Sequence, residues 1–336
     1  MAPLTEIFGE SPGIVVVREQ VTRLLQRQGG GARRLPPILI LGETGTGKGL
    51  LASVIHRAGP RASEPFVSVN CAAIPETLLE AELFGFERGA FTDARQAKAG
   101  LFQAAHGGTL FLDEVGLLPE SLQAKLLKAL EERTVRRLGS TRSEAVDLWL
   151  IAATSEDLDA LVRARRFRQD LYHRLAVVTL RLPPLRERDG DILGLAEHFL
   201  RRACEEYGLP PKTLTGEART ALLNHPWPGH VRELANVMER VALLSDGTAV
   251  TPAILGLRPS GSPGGSQPSA AEERRATRET DAEAERDLLL TTLRAVKWNI
   301  SRAAAQLGIP RNTLRYRMEK HALSPSNPAP RRPEYR

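Results

Sequence analysis

Residues 38–48 read ILILGETGTGK: four apolar residues of strand length, a glycine-rich loop, then the start of a helical pattern. The spacing is that of G-x-x-x-x-G-K in the strand–loop–helix context the motif requires. Glycines let successive main-chain N–H groups turn inward on a phosphate, the lysine adds a point charge, and the helix N-terminus adds its dipole. The candidate phosphate-binding residues are Gly42, Glu43, Thr44, Gly45, Thr46, Gly47, Lys48 and Gly49. Ser or Thr usually follows the lysine and offers magnesium a hydroxyl; here the residue is Gly49.

Further short apolar runs flank this one at Phe66–Val69, Thr109–Leu112, Leu148–Ala152 and Val177–Leu180. Helical patterns separate them, such as Pro119–Glu132 with Leu122, Leu126, Leu127 and Leu130 on one face. Strands alternating with helices imply a parallel sheet covered on both sides, an α/β fold. The run GGTLFLDE at 107–114 is a strand ending in two acids. Acids at the C-terminal end of such a strand sit beside the ligand. Asp113 is therefore expected to hold magnesium, and Glu114 to orient and polarise an attacking water. Leu182-Pro183-Pro184 closes the alternation. From 190 to 257 only helices are expected: Ile192–Cys204, Thr215–Asn224 and Gly229–Leu244.

The chain has 336 residues, 26% charged and 42% hydrophobic, which suits roughly two domains and excludes wholesale disorder. No apolar run approaches the ~18–20 residues a membrane helix needs, and 1–13 lacks the basic-then-apolar signature of a secretory signal. A cytoplasmic protein is expected. Cys71 and Cys204 are too few for a zinc cluster or a disulfide framework. The net charge is +6, and 288–322 carries seven basic residues against the single acid Glu319, so the rest of the chain sums to zero. A neutral body with a basic end suggests a polyanion-binding module, a solvated basic helix being the plain alternative. Residues 258–270 are rich in Gly, Pro and Ser and read as a flexible linker.

The segments GETGTGK, FVSVNCAAIPETLLEAELFGFERGAFTDA, GGTLFLDEVGLL, FRQDLYHRLAVVTLRLPPLRERDGDI and WPGHVRELANVMERV occur in that order between about Phe8 and Leu257. This run resembles the AAA+ domain of bacterial enhancer-binding proteins, the activators of sigma-54 RNA polymerase. The resemblance implies an ATPase using ATP and Mg2+ in a homo-oligomeric ring, a hexamer. The implied division is a 1–182 α/β ATPase subdomain, a 183–257 helical lid, a 258–282 linker, a 283–324 Fis-type helix-turn-helix domain and a 325–336 tail. By the same resemblance, Asn70 would link nucleotide state to loop movement through Glu114, and Thr154 would be sensor I. Arg168 and Arg174 would be arginine fingers reaching a neighbouring subunit's ATP, and Arg232 would be sensor II in the lid. A finger has its own physical reason, since phosphoryl transfer builds negative charge that an arginine in trans stabilises.

Gly89-Ala90-Phe91-Thr92-Asp93-Ala94 aligns with the family's GAFTGA loop, which grips sigma-54, so Phe91 would be an exposed aromatic anchor. Asp93 stands where the family has glycine, adding a charge and restricting the backbone. Gly49, Ser155 and Trp149 also depart from the family pattern at their positions. The phrase WNISRAAAQLGIPRNTLRYRMEK at 298–320 resembles the Fis-type helix-turn-helix. The expected helices are Asp287–Val296, Ile300–Leu307 and Arg311–Lys320. Arg311, Asn312, Thr313, Arg315 and Tyr316 would face the groove of double-stranded DNA or its phosphates, and Arg302 and Arg317 would contact phosphate. With about forty residues before the loop, no receiver or ligand-sensing domain is expected there, and control by a trans-acting regulatory protein is. The implied function is ATP-driven remodelling of sigma-54 holoenzyme from closed to open complexes. The alternative, motivated by Asp93, is a DNA-binding AAA+ regulator that does not engage sigma-54.

Overall fold

The computed structural model describes residues 6–28, 35–91, 94, 96–188, 190–245 and 247–257, together with Thr292, Leu293, Val296 and Ala303. The chain divides into Met1–Ser260 and Gly261–Arg336.

In the first unit, five strands form a parallel sheet: β1 (Ile38–Leu41), β2 (Phe66–Asn70), β5 (Thr109–Asp113), β8 (Trp149–Thr154) and β9 (Val178–Arg181). Their order is β2-β5-β8-β1-β9, so β8 lies at the centre and all six of its residues are buried. A strand covered on both faces reads as a continuous apolar run, which is why WLIAAT carries no alternation. Around the sheet lie α1 (Pro12–Gln28), α2 (Lys48–Ala58), α3 (Glu76–Phe84), α4 (Leu101–Ala104), α5 (Glu120–Glu132), α6 (Leu158–Arg163) and α7 (Gln169–Leu175).

Successive strand residues feed opposite cores, as the two-residue period demands. Leu39, Leu110, Leu112, Leu150 and Ala152 pack on one face with Leu122 and Leu126 of α5 and Leu171 of α7. Ile38, Ile40, Phe111, Trp149, Ile151 and Leu180 pack on the other with Val17 of α1 and Leu51 and Ile55 of α2. Trp149, one of the departures from the family pattern, is fully buried, and its indole N–H donates to the Pro36 carbonyl at 2.9 Å. An apolar residue with one satisfied donor suits that central position as a charged one would not.

Residues after Pro183-Pro184 build a third core. It joins α8 (Ile192–Glu206), α9 (Gly216–Asn224), α10 (His230–Leu244) and α11 (Pro252–Leu255) around Leu195, Leu200, Leu222, Trp227, Leu234 and Met238. The expectation of helices alone needs correction here. A two-stranded parallel sheet, β10 (Thr213–Leu214) with β11 (Ala249–Val250), ties the α8–α9 connection to the segment after α10. Two-residue strands show no periodicity, so nothing in the sequence marks them. Two antiparallel hairpins are as short, with strands of two or three residues: β3 (Gly85–Phe86) with β4 (Lys98–Ala99), and β6 (Thr134–Arg136) with β7 (Ser143–Ala145).

In the second unit, Thr292, Leu293 and Ala303 are buried, and the Val296 N–H donates to the Thr292 carbonyl at 3.2 Å, one helical turn. The expected DNA-contacting residues Arg302, Arg311, Asn312, Thr313, Arg315, Tyr316 and Arg317 lie outside the described residues, as do Thr92 and Asp93.

Candidate active site

The loop from β1 to α2 turns through two residues with positive φ, Gly45 at 94° and Gly47 at 106°. At Gly45 a side chain is excluded twice over: L residues avoid that φ, and a Cβ would collide with the carbonyl oxygen of Gly229. Lys48 begins α2 and is only 6% exposed. Its ammonium curls back over the loop, donating to the Gly42 carbonyl at 2.9 Å and to Glu114 Oε1 at 3.3 Å. A phosphate placed on the loop would meet this ammonium and the N–H groups that open α2. Thr46 is 3% exposed and spends its hydroxyl on the Glu43 carbonyl at 2.8 Å, so it braces the loop from within.

Asp113 and Glu114 leave the end of β5 directly opposite. Burial and the neighbouring Glu114 charge push the Asp113 carboxyl above the usual range, while Lys48 and Arg232 work the other way. Glu114 has a left-handed backbone, φ 55° and ψ 46°, uncommon away from glycine and concentrated at functional sites. Its carboxylate meets three donors: Lys48 on one oxygen, and the Ser155 N–H and hydroxyl on the other at 3.0 and 2.9 Å. Burial works to raise the Glu114 carboxyl, but these hydrogen bonds and the Lys48 charge outweigh it and hold the group low.

The other expected residues are placed unequally. Asn70 ends β2 in register with Asp113, and its amide oxygen accepts the Ala72 N–H at 2.9 Å. Thr154 ends β8 fully buried, its hydroxyl oxygen accepting the Glu156 N–H at 3.0 Å. The hydroxyl that strand presents to the acidic pair is therefore that of Ser155. Arg232 approaches from α10; its N–H donates to the Gly45 carbonyl at 3.1 Å, and its charge reaches Asp113. Arg168 and Arg174 are not placed alike. Arg168 is exposed, at the N-cap of α7, with its guanidinium on Asp170 at 2.7 Å. Arg174 donates inward to the Leu130 carbonyl at 2.8 Å, and its Nε is buried without a partner among the described residues. The inward turn follows from helix geometry, since position 174 faces α5 and position 168 precedes the helix.

Three features of the site were invisible in the sequence. A cavity of about 390 Å³ adjoins Thr46 and Gly47, walled by Ile7, Phe8, Ile14, Leu182, Phe199 and Val231. Its walls come from the chain's beginning, the core and the lid. The loop's Glu43 is clasped by Arg186 at 2.5 Å and by His230 Nε2 at 2.8 Å. The Arg186 hydrogen bond comes first in holding its carboxyl down at about 2, burial opposes, and His230 adds to the lowering. Finally, Asp191 accepts from the Glu10 and Ser11 main chain, the Ser11 hydroxyl and Arg188, pinning the segment that carries Phe8. Partners more than 140 residues apart in the chain leave no local signal.

A family model described as the sigma-54 interaction domain matches residues 7–181, an AAA+ ATPase lid domain 186–271, and a bacterial regulatory protein of the Fis family 282–321. The chain is 46% identical over 316 residues to the response regulator protein PilR of Pseudomonas aeruginosa, covering 94% of itself and 69% of PilR.

The chain belongs to the sigma-54-dependent transcriptional activators.

It is also 53% identical over 212 residues to the sigma-54-dependent transcriptional activator SfnR of Pseudomonas putida, 63% of this chain and 58% of SfnR. Among solved structures it resembles NtrX of Brucella abortus in complex with ADP, at 33% identity and TM-score 0.67, across 94% of this chain and 69% of that one. The activator is thus an AAA+ ATPase that binds nucleotide, and its domains are of the kinds that engage sigma-54 and DNA. It spans only part of its relatives' length.

The loop aligned with the sigma-contacting segment rises from the β3–β4 hairpin. Its base is closed by the Gly89 N–H on the Ala94 carbonyl at 2.8 Å and the Ala94 N–H on the Phe91 carbonyl at 3.0 Å. Ala94, the last residue of the aligned segment, is buried and takes part in this closure. Phe91 is 42% exposed and tilts against Phe86 with ring centroids 4.8 Å apart. The activator's hairpins are joined by main-chain bonds, Glu87 N–H to the Leu138 carbonyl and Leu138 N–H to the Gly85 carbonyl, each 2.9 Å. Among the described residues no helix is long and apolar enough to cross a membrane.

Proposed function

We propose that this activator is a cytoplasmic ring ATPase, a hexamer, that remodels sigma-54 RNA polymerase from closed to open complexes while held on an upstream DNA site. The observation that carries the reading is the convergence of Lys48, Asp113, Glu114 and Arg232 at one end of the sheet, beside an apolar cavity of a size for a purine base. Gly42–Lys48 would hold the triphosphate, and Phe8, Phe199 and Val231 would wall the base. The donor set fits magnesium: a single carboxylate, Asp113, beside phosphate oxygens is the sparse, oxygen-only shell that ion takes. When bound, Mg2+ would neutralise charge on the terminal phosphates. Asp113 is the residue that would hold it, and Gly49 has no hydroxyl to offer. Glu114 orients the water. Arg168, exposed and needing only to leave Asp170, is the finger offered to the next subunit's ATP; the geometry favours it over Arg174. Phe91 is the sigma-54 anchor, with Gly89, Ala90, Thr92, Asp93 and Ala94 as the other residues of the contact segment. Arg302, Arg311, Asn312, Thr313, Arg315, Tyr316 and Arg317 supply the DNA contacts.

Two substitutions and one capture experiment test this. Lys48→Ala loses nucleotide binding in a fluorescent-ADP titration. Glu114→Ala keeps binding and loses turnover. The full chain with ATP held in a transition-state mimic retains sigma-54 on a column, and Phe91→Ala does not. Failure of wild type to capture sigma-54 despite normal ATPase activity would favour a regulator that does not engage it.

A further inference from the structure

The two oxygens of Glu114 are treated differently. Oε2 accepts both the Ser155 N–H at 3.0 Å and the Ser155 hydroxyl at 2.9 Å. Oε1 faces the phosphate loop, 3.3 Å from Lys48 Nζ. A glutamate side chain gives up rotamer freedom when it is frozen, so it keeps one aim only if something holds it. The backbone fixes where it starts, through the left-handed φ of 55°. Ser155 fixes where it ends, because two donors on one oxygen set the plane of the carboxylate. The sheet places them together: β5 and β8 run parallel in register through Leu112 and Ala152, and Glu114 and Ser155 follow just past that pair. The other polar side chains at these strand ends are engaged elsewhere, Asn70 with Ala72 and Thr154 with Glu156.

We propose that Ser155 is a positioning residue for ATP hydrolysis: it grips one carboxylate oxygen of Glu114 and so aims the other at the phosphate loop, where the attacking water stands. The proposal rests on the assignment of Glu114 as the group that orients that water. Ser155 touches no part of the loop in the contacts described, so its loss acts on turnover and not on nucleotide affinity. Ser155→Ala keeps the main-chain donor and loses the hydroxyl; Ser155→Thr keeps both.

The test is steady-state ATPase kinetics on the full chain, with fluorescent-ADP binding measured in parallel. Ser155→Ala is expected to lower kcat about tenfold, the equivalent of ~1.4 kcal/mol, with KM and ADP affinity unchanged. Ser155→Thr is expected to restore kcat. An unchanged kcat in Ser155→Ala overturns the proposal. So does a rise in KM that Ser155→Thr fails to reverse, the result of a merely structural role. If Glu114→Ala turns over normally, the Glu114 assignment falls and the proposal with it; if Glu114→Ala is inactive and Ser155→Ala normal, only the proposal falls.

Discussion

Asp191 is 2% exposed and charged, a placement that survives only because its oxygens are met from every side. Burial works to raise its carboxyl, and hydrogen bonds from Ser11, the Glu10 N–H and Arg188 outweigh burial and hold it below the usual carboxylate range. Gly9, at φ 133°, makes room for it, since a Cβ there would overlap the carboxylate. Asp191→Asn would leave the 3%-exposed Arg188 guanidinium without its counter-charge, a change that costs about 3–5 kcal/mol; urea unfolding at neutral pH measures it. The sign with pH follows from the depressed carboxyl. Its contribution is complete above the unfolded value of about 3.9 and is lost as pH falls through the lower folded value, so the gap between wild type and Asp191→Asn narrows only in strong acid. At this scale the sequence was legible where chemistry is written as a motif: Gly42–Lys48, Asp113 and Glu114 stand where their spacing placed them. Asp191 with Ser11, and Glu114 with Ser155, were not legible, because each pairing is made by the fold between segments far apart in the chain. The inward turn of Arg174 was hidden for the same reason.

Between elements, the closest link from the nucleotide loop to the lid is Glu43, held by Arg186 just ahead of α8 and by His230 at the start of α10. A carboxylate only accepts, so His230 Nε2 carries the proton in this contact. The main-chain bond from Arg232 to Gly45 lies alongside. A shift of the loop on binding phosphate would therefore pull on the first turn of α10. Glu43→Gln removes the charge and keeps the shape, and faster amide hydrogen exchange is expected in the opening turn of α10, with the sheet strands unaffected. With its carboxyl held at about 2, Glu43 keeps this clasp charged through the neutral range, and the clasp weakens only as pH falls toward that value. Unchanged exchange at α10 would mean the lid is held by its apolar contacts alone. The five sheet strands were readable to within two residues, because each carries a short apolar run, unbroken in the three inner strands that are covered on both faces. The two- and three-residue strands of the hairpins and of the lid were not, since so short a segment has no period to detect.

For the whole molecule, the charge surplus lies in 288–322 while the ATPase body sums to zero, so DNA affinity and nucleotide chemistry occupy different parts of the chain. The proposed ring goes with the proposed finger: Arg168, exposed and paired only with Asp170 among the contacts described, would complete a site on a neighbour. Mixing Arg168→Ala with Lys48→Ala subunits, each inactive alone, is expected to restore part of the ATPase activity, because some interfaces then pair an intact loop with an intact finger. No recovery at any ratio would contradict the trans assignment. The central claim, that hydrolysis in this ring is spent on sigma-54 polymerase, is tested most directly by promoter opening. Sigma-54 holoenzyme, a promoter with its upstream site and the full chain are combined with ATP, and permanganate reactivity of the melted strand is read. The account predicts melting with ATP, none with ADP, and none with Glu114→Ala or Phe91→Ala. Vigorous ATP hydrolysis with the promoter still closed would contradict it.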